Sequence, residues 1–299
     1  MKLPSSTLIV YPTTYAILLA LAIILNYILL PSIGSLLVRI YTIDFCITII
    51  FYGIGNYLFS SNDLYDLHWS LLPLICSIYF YMATDAIETN WLKPILLIIL
   101  IFLWSSHLLW QRINSSDSIY HEDWRYQSMR RTYAAHFQMF ALFALHLLPM
   151  IEVQIGSIPI YYIFTNLSNE QTLTFTDVVF LLVILLGVLL ENFADRQLNE
   201  FRQWKSQSRE RRFTVLLDGL WKYSRHPNYL GELIFWWAIL VYGYYHSAPW
   251  WCVISPLLIT LMMIFGSIPI TEERMFRKYP DYKFVQQRVP MLIPTFNIF

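Results

Sequence analysis

The chain has 299 residues, of which 57% are hydrophobic and only 13% charged, roughly half the charged share of an average soluble protein. That balance excludes a soluble globular domain. Twenty basic residues offset twenty acidic ones, so no bulk charge draws a polyanion, and nucleic acid is not an expected partner.

Apolar runs of about 20 residues recur along the chain. They place spans at about 8–30, 37–58, 70–85, 93–111, 133–151, 174–193, 232–248 and 250–270. The first run is too long for a signal-peptide core and lacks a small-residue cleavage site, so it reads as a span. The expected fold is all-α: a polytopic membrane helix bundle of about eight transmembrane helices (seven to nine), forming one integral membrane domain over 1–299. Of the 20 Lys and Arg residues, 18 fall in or beside the N-terminus, 59–69, 112–132, 194–231 and 271–299; only Arg39 and Lys93 do not. By the positive-inside rule those segments, and both termini, are cytosolic. Cys46, Cys76 and Cys252 sit in apolar runs without C-x-x-C spacing. They read as buried small hydrophobes, and no metal site is expected.

Four polar clusters fall on the cytosolic side. Ser60–Ser70 contains Asp63, Tyr65, Asp66, His68 and Trp69; a loop needs turn formers but not a His and a Trp at the start of a span. Tyr120–Tyr126 contains Glu122, Asp123 and Arg125. Arg125 either pairs with one of those acids or contacts a ligand. Glu191–Arg212 continues the sixth span as a helix with Glu191, Asp195, Leu198 and Arg202 on one face. Its acids at a span end point to a polar cavity, while its basic run reads equally as a topology signal, an anionic-lipid contact or a ligand site.

The fourth cluster is the sharpest. In Gly219–Glu232, Pro227 starts a helix, and Arg225, His226, Asn228 and Tyr229 supply donors and a ring at its N-terminus, a ready anion site. Glu232 falls within the first turns of the seventh span. The tail adds Glu272-Glu273-Arg274, Tyr279, Tyr282 and Pro294. There is no G-x-G-x-x-G, so a nucleotide is not held by a Rossmann unit.

The string Gly-Leu-Trp-Lys-Tyr-Ser-Arg-His-Pro-Asn-Tyr-Leu-Gly-Glu at 219–232 resembles the C-terminal signature of the steroid 5-alpha-reductase-like family. It is most similar to a branch of multi-span membrane proteins, domain of unknown function 1295. Tyr65–Ser70, Glu122–Tyr126, Ala194–Gln197 and Glu272–Pro294 match further strings of that branch, so the resemblance covers about 60–294. It implies a bundle of membrane helices with a cofactor cavity open to the cytosol. The implied activity is reduction of a hydrophobic lipid or steroid-like enone or alkene by NADPH or NADH. Asp195, Arg202, Arg225, His226, Asn228, Tyr229 and Glu232 are implied to line the cavity, with Glu191 near them where steroid reductases carry an Asn. Arg202 and Arg225 would hold phosphates, Asp195 and Asn228 polar groups of the cofactor, and Glu232 would orient those partners. Asp66 or Tyr65 would handle the substrate carbonyl, and the tail would fold back over the site.

Arg225–Gly231 is also similar to isoprenylcysteine and phospholipid methyltransferases, which leaves S-adenosylmethionine as an alternative cofactor. A non-catalytic membrane scaffold that kept the fold is a third reading. The expected partners are the bilayer and a hydrophobic small molecule. The expected location is an integral membrane, that of the endoplasmic reticulum in a eukaryote.

Overall fold

A computed structural model describes residues 35–56, 60–63, 65–84, 91–115, 122–166, 173–207, 215–279 and 281–294. The first expected span, 8–30, lies outside these residues, as do Arg209, Arg211 and Arg212 of the basic run. The described residues form helices joined by turns, with no strand among them. In chain order the helices are α1 (Leu36–Ile54), α2 (Tyr65–Ala83), α3 (Leu92–Ser115) and α4 (Trp124–Tyr133). Then come a π-helical segment (Ala141–Leu147) and α5 (Leu148–Thr165), followed by α6 (Phe175–Gln207) and α7 (Pro227–Tyr245). The chain finishes with α8 (Ile254–Met262), α9 (Ile268–Lys278) and α10 (Tyr282–Arg288).

Five helical runs are long and apolar enough to cross a membrane: Leu36–Ile54, Leu92–Asn114, Trp124–Thr165, Phe175–Gln207 and Trp250–Lys278. The chain is a multi-pass membrane protein. The spans expected at 70–85 and 232–248 are helical, as α2 and α7, but do not belong to these five. Asp66, His68 and Ser70 dilute the first, and Asn228, Glu232 and a run of Trp and Tyr dilute the second.

One boundary moves. The sequence ends the fifth span at 151 and begins a loop at 152, whereas helix continues to Thr165. Glu152, Gln154, Ser157 and Pro159 break the apolar pattern, yet Glu152 and Ser157 are buried in the bundle. Gln154 is engaged by a neighbouring helix, donating Nε2 to Asp44 Oδ2 at 2.6 Å. A polar residue bonded inside a bundle does not end a helix. Upstream, Ala134 at φ 41° breaks the helical path after α4, so the polar α4 is set apart from the apolar run that follows it.

The closest packing joins α6 to α7. A Cβ on Gly231 would stand 2.6 Å from Glu191 N and 2.7 Å from the Gly187 carbonyl; one on Gly187 would stand 2.8 Å from the Gly231 carbonyl. Two glycines thus let the helix backbones touch, as small residues do between membrane helices. Beside this contact, Trp104 of α3 stacks on Phe235 of α7 with centroids 4.5 Å apart, and Trp236 meets it edge-on. At one end of the bundle lie the C-termini of α3 and α6 and the N-termini of α2 and α7. At the opposite end, buried Lys93 of α3 pairs with Asp177 of α6 at 2.8 Å. Tyr242 of α7 donates to that same acid at 2.9 Å.

Candidate functional site

Near the polar end, α3, α6 and α7 converge. Their long helices place His107, Asp195 and Asn228 within reach because α6 carries its acids one turn apart and α7 begins at Pro227. His107 Nε2 contacts Asp195 Oδ2 at 3.0 Å, and Asn228 Nδ2 donates to Asp195 Oδ1 at 3.0 Å. One turn deeper, Glu232 is held from two sides: Trp236 Nε1 donates to Oε1 at 2.8 Å and Trp104 Nε1 to Oε2 at 2.9 Å. Glu191 lies beside Glu232 across the α6–α7 contact, close enough for the two carboxyls to interact. Two buried oxygens in this group, Glu191 Oε2 and Asn228 Oδ1, have no partner.

One ligand atom from each of His107, Glu191 and Asp195 lies within 4.8 Å of the others. The spacing alone would suit a cation, but His107 and Asp195 are bonded to each other. His107 and Asp195 thus spend their facing atoms on each other, while Glu191 keeps one oxygen without a partner.

Of the residues expected to line the cavity, Glu191, Asp195, Asn228 and Glu232 are brought together. Arg225 and His226 are placed elsewhere, in a clasp on the C-terminal tail. Arg225 Nε donates to Glu272 Oε1 at 2.7 Å, and its Nη1 donates to the carbonyls of Gln286 and Val289. His226 Nε2 contacts Glu272 Oε1 at 2.9 Å. The geometry therefore engages Arg225 with a carboxylate and two carbonyls. Tyr229 stacks on His226 with centroids 5.4 Å apart and bonds Thr271 of α9. Arg202 is exposed near the end of α6, with its charge near that of Arg274.

Gln197 accounts for the match at 194–197. Its Oε1 accepts Leu220 N–H at 3.0 Å, and Gly219, at φ 59°, would carry any Cβ into this amide. Trp221 Nε1 donates to the Ala194 carbonyl at 2.9 Å, so this string docks the approach to α7.

Asp66 and Tyr65 fall into two further groups. Asp66 accepts from Tyr126 OH at 2.8 Å, while Arg112 bridges Asp63 at 2.6 Å and Asp66 at 3.4 Å. Asp123 caps α4 by accepting Arg125 N–H at 2.8 Å, and Arg125 Nε pairs with the same carboxylate at 3.0 Å. Of the two readings for Arg125, the ion pair is the one in place. Burial pushes the Asp63 carboxyl up to about 7, with Asp66 and Asp123 adding to the push and Arg112 only partly offsetting it. Burial also raises Asp123, but the adjoining Arg125 charge and hydrogen bonds override it and hold that carboxyl below its usual range.

Tyr65 is wholly buried, its ring 5.2 Å from His146 and 5.8 Å from His68. His68 Nε2 in turn meets Asp44 Oδ1 at 2.5 Å. Sequence reasoning singled out neither Asp44 nor Glu152, although an acid inside an apolar run was the available signal. It also gave Arg112 and His107 no role; their partners are remote in sequence.

Over residues 51–289 the chain matches the family described as "Protein of unknown function (DUF1295)". The chain belongs to this family. It is 24% identical over 258 residues to the uncharacterised protein C594.04c of Schizosaccharomyces pombe, covering 78% of this chain and 72% of that one. No solved structure matches.

Proposed function

We propose that this DUF1295 protein is a membrane-embedded, NAD(P)H-dependent reductase of a hydrophobic enone or alkene, lipid or steroid-like. The observation that carries the reading is the meeting of Asp195 and Asn228 beside an unpartnered Asn228 Oδ1. Those residues belong to two of the strings that resemble reductases. A buried orphan acceptor is costly unless a ligand donor completes it, and a carboxamide of a nicotinamide supplies such a donor. A dinucleotide also needs cations for its phosphates. Since Arg225 is engaged by Glu272, that role falls to Arg202, exposed near the end of α6.

When bound, the dihydronicotinamide supplies hydride to the electron-poor carbon. The protein contributes the rest. Asp195 and Asn228 orient polar groups, Glu232 and the surrounding tryptophans build a dry, fixed pocket, and Asp66 and Tyr65 remain candidates for the substrate carbonyl. The reading keeps eight spans and cytosolic termini, so the polar end faces the compartment that holds the cofactor. The membrane is that of the endoplasmic reticulum in a eukaryotic cell.

Calorimetry on purified protein with NADPH, NADH and S-adenosylmethionine tests the proposal. Binding of NADPH or NADH, weakened by Asn228→Ala, supports it. Binding of S-adenosylmethionine with indifference to both nicotinamides turns the assignment to a lipid methyltransferase, and binding of none of the three sinks it in favour of a scaffold.

A further inference from the structure

Glu191 and Glu232 are 4% and 6% exposed, and they are held against each other by the helix contact itself. The Gly231 Cα lies so near the Glu191 backbone that a Cβ would come within 2.6 Å of Glu191 N. The backbones that carry the two side chains cannot move apart without separating α6 from α7. Two buried carboxyls side by side cannot both be ionised without crowding like charges where water does not reach them, and neither could bond the other unless one were protonated, because an ionised carboxyl only accepts. One of the pair carries a proton.

The indoles decide which. An indole N–H donates and never accepts. Trp236 donates to one oxygen of Glu232 and Trp104 to the other. A carboxyl that receives a donor on each oxygen is served best as the carboxylate. The proton then belongs to Glu191, donated towards Glu232. The unpartnered Glu191 Oε2 agrees: burying an ionised oxygen with no donor is far more costly than burying a neutral one. The other charged or titratable groups around the pair are Asp195, one turn along α6, and His107 of α3. Asp195 is itself engaged by His107 and Asn228.

We propose that Glu191 is a neutral, proton-bearing acid, held ready by Glu232 and its two tryptophans, and that it protonates the substrate in the reaction put forward above. Hydride brings two electrons to one alkene carbon. The neighbouring carbon forms its new C–H bond with the Glu191 proton, the O–H bond breaks, and its electron pair stays on Glu191. The alkene is reduced and the dihydronicotinamide oxidised, and a proton from solvent restores Glu191. The catalytic use rests on the reductase reading, whereas the location of the proton does not.

Infrared spectroscopy of the full chain in lipid nanodiscs at neutral pH reads the proton directly, as a carboxylic C=O stretch that shifts in D2O. The expected result is a component lost in Glu191→Gln and shifted, but kept, in Glu232→Gln. Retention of every component in Glu191→Gln, or loss in Glu232→Gln instead, overturns the proposal. If Glu191→Gln does not fold by circular dichroism, Glu191→Asp carries the test: the component must move, and an unmoved one overturns it. NADPH calorimetry on the same samples separates the two ideas. A component lost with no nicotinamide binding removes the catalytic use and leaves the proton on Glu191. Nicotinamide binding with no component lost removes the proton and leaves the reductase.

Discussion

Asn228 at the start of α7 donates its amide to Asp195 of α6 at 3.0 Å across 33 positions of sequence. The bond uses one of the two amide N–H groups, and the amide oxygen has no partner. Truncation to Asn228→Ala removes both the tether on Asp195 and the acceptor offered to a ligand. A hydrogen bond to a charged group contributes about 1.5–3 kcal/mol, so nicotinamide affinity should fall by roughly 10–100-fold. Calorimetry measures the fall, and thermal melting should move far less.

The ion pair at the opposite end predicts a stability effect without a ligand effect. Lys93 and Asp177 are both buried, 2.8 Å apart. Lys93→Met strands a carboxylate inside the bundle, which costs about 3–5 kcal/mol. Asp177→Asn added to it should restore most of the loss, because the stranded charge is gone. Melting in detergent compares the single and double variants.

The helix contact between α6 and α7 should tolerate no side chain. Gly231→Ala drives a Cβ to 2.6 Å from Glu191 N and should cost about 1–3 kcal/mol through overpacking. It should also weaken nicotinamide binding, since Glu191 and Asp195 shift with the helix. Gly53→Ala is the control: nothing lies within 4 Å of its added methyl, and melting should hold or rise.

Two neighbouring acids predict opposite responses to pH. Asp63 sits at about 7 in the fold, above its value in the unfolded chain. Its ionised form is therefore penalised by folding, and the penalty lifts as pH falls from about 7 towards the usual carboxylate range. Asp63→Asn should raise the melting temperature at pH about 8 and do so less at about 5, a window set by that raised value. A loss at the higher pH would show that the Arg112 pair outweighs burial. Asp123 is depressed, so its contribution is present above the ordinary carboxylate range and is lost as pH falls through its lowered value. Asp123→Ala should destabilise α4 at neutral pH by about 1 kcal/mol.

Membrane character was plain in the sequence because it depends on composition summed over long windows. The convergence of Asp195, Asn228 and Glu232 was also within reach, since each sits in a distinctive string. Trp104, His107 and Asp44 were not, because a lone indole, imidazole or carboxyl in an apolar run acquires meaning only from a partner. For Trp104 that partner, Glu232, lies 128 positions away. Arg225 shows the reverse case. Its neighbours suggested an anion site, but Glu272, 47 positions downstream, supplies the anion from within the chain.

The clasp on Arg225 also orders the protein's own construction. Its ligands, Glu272, Gln286 and Val289, are translated only after α7 is complete. A chain cut short before Pro290, whose carbonyl takes the Arg225 N–H at 2.9 Å, would hold α7 without the contact that closes over its first turn.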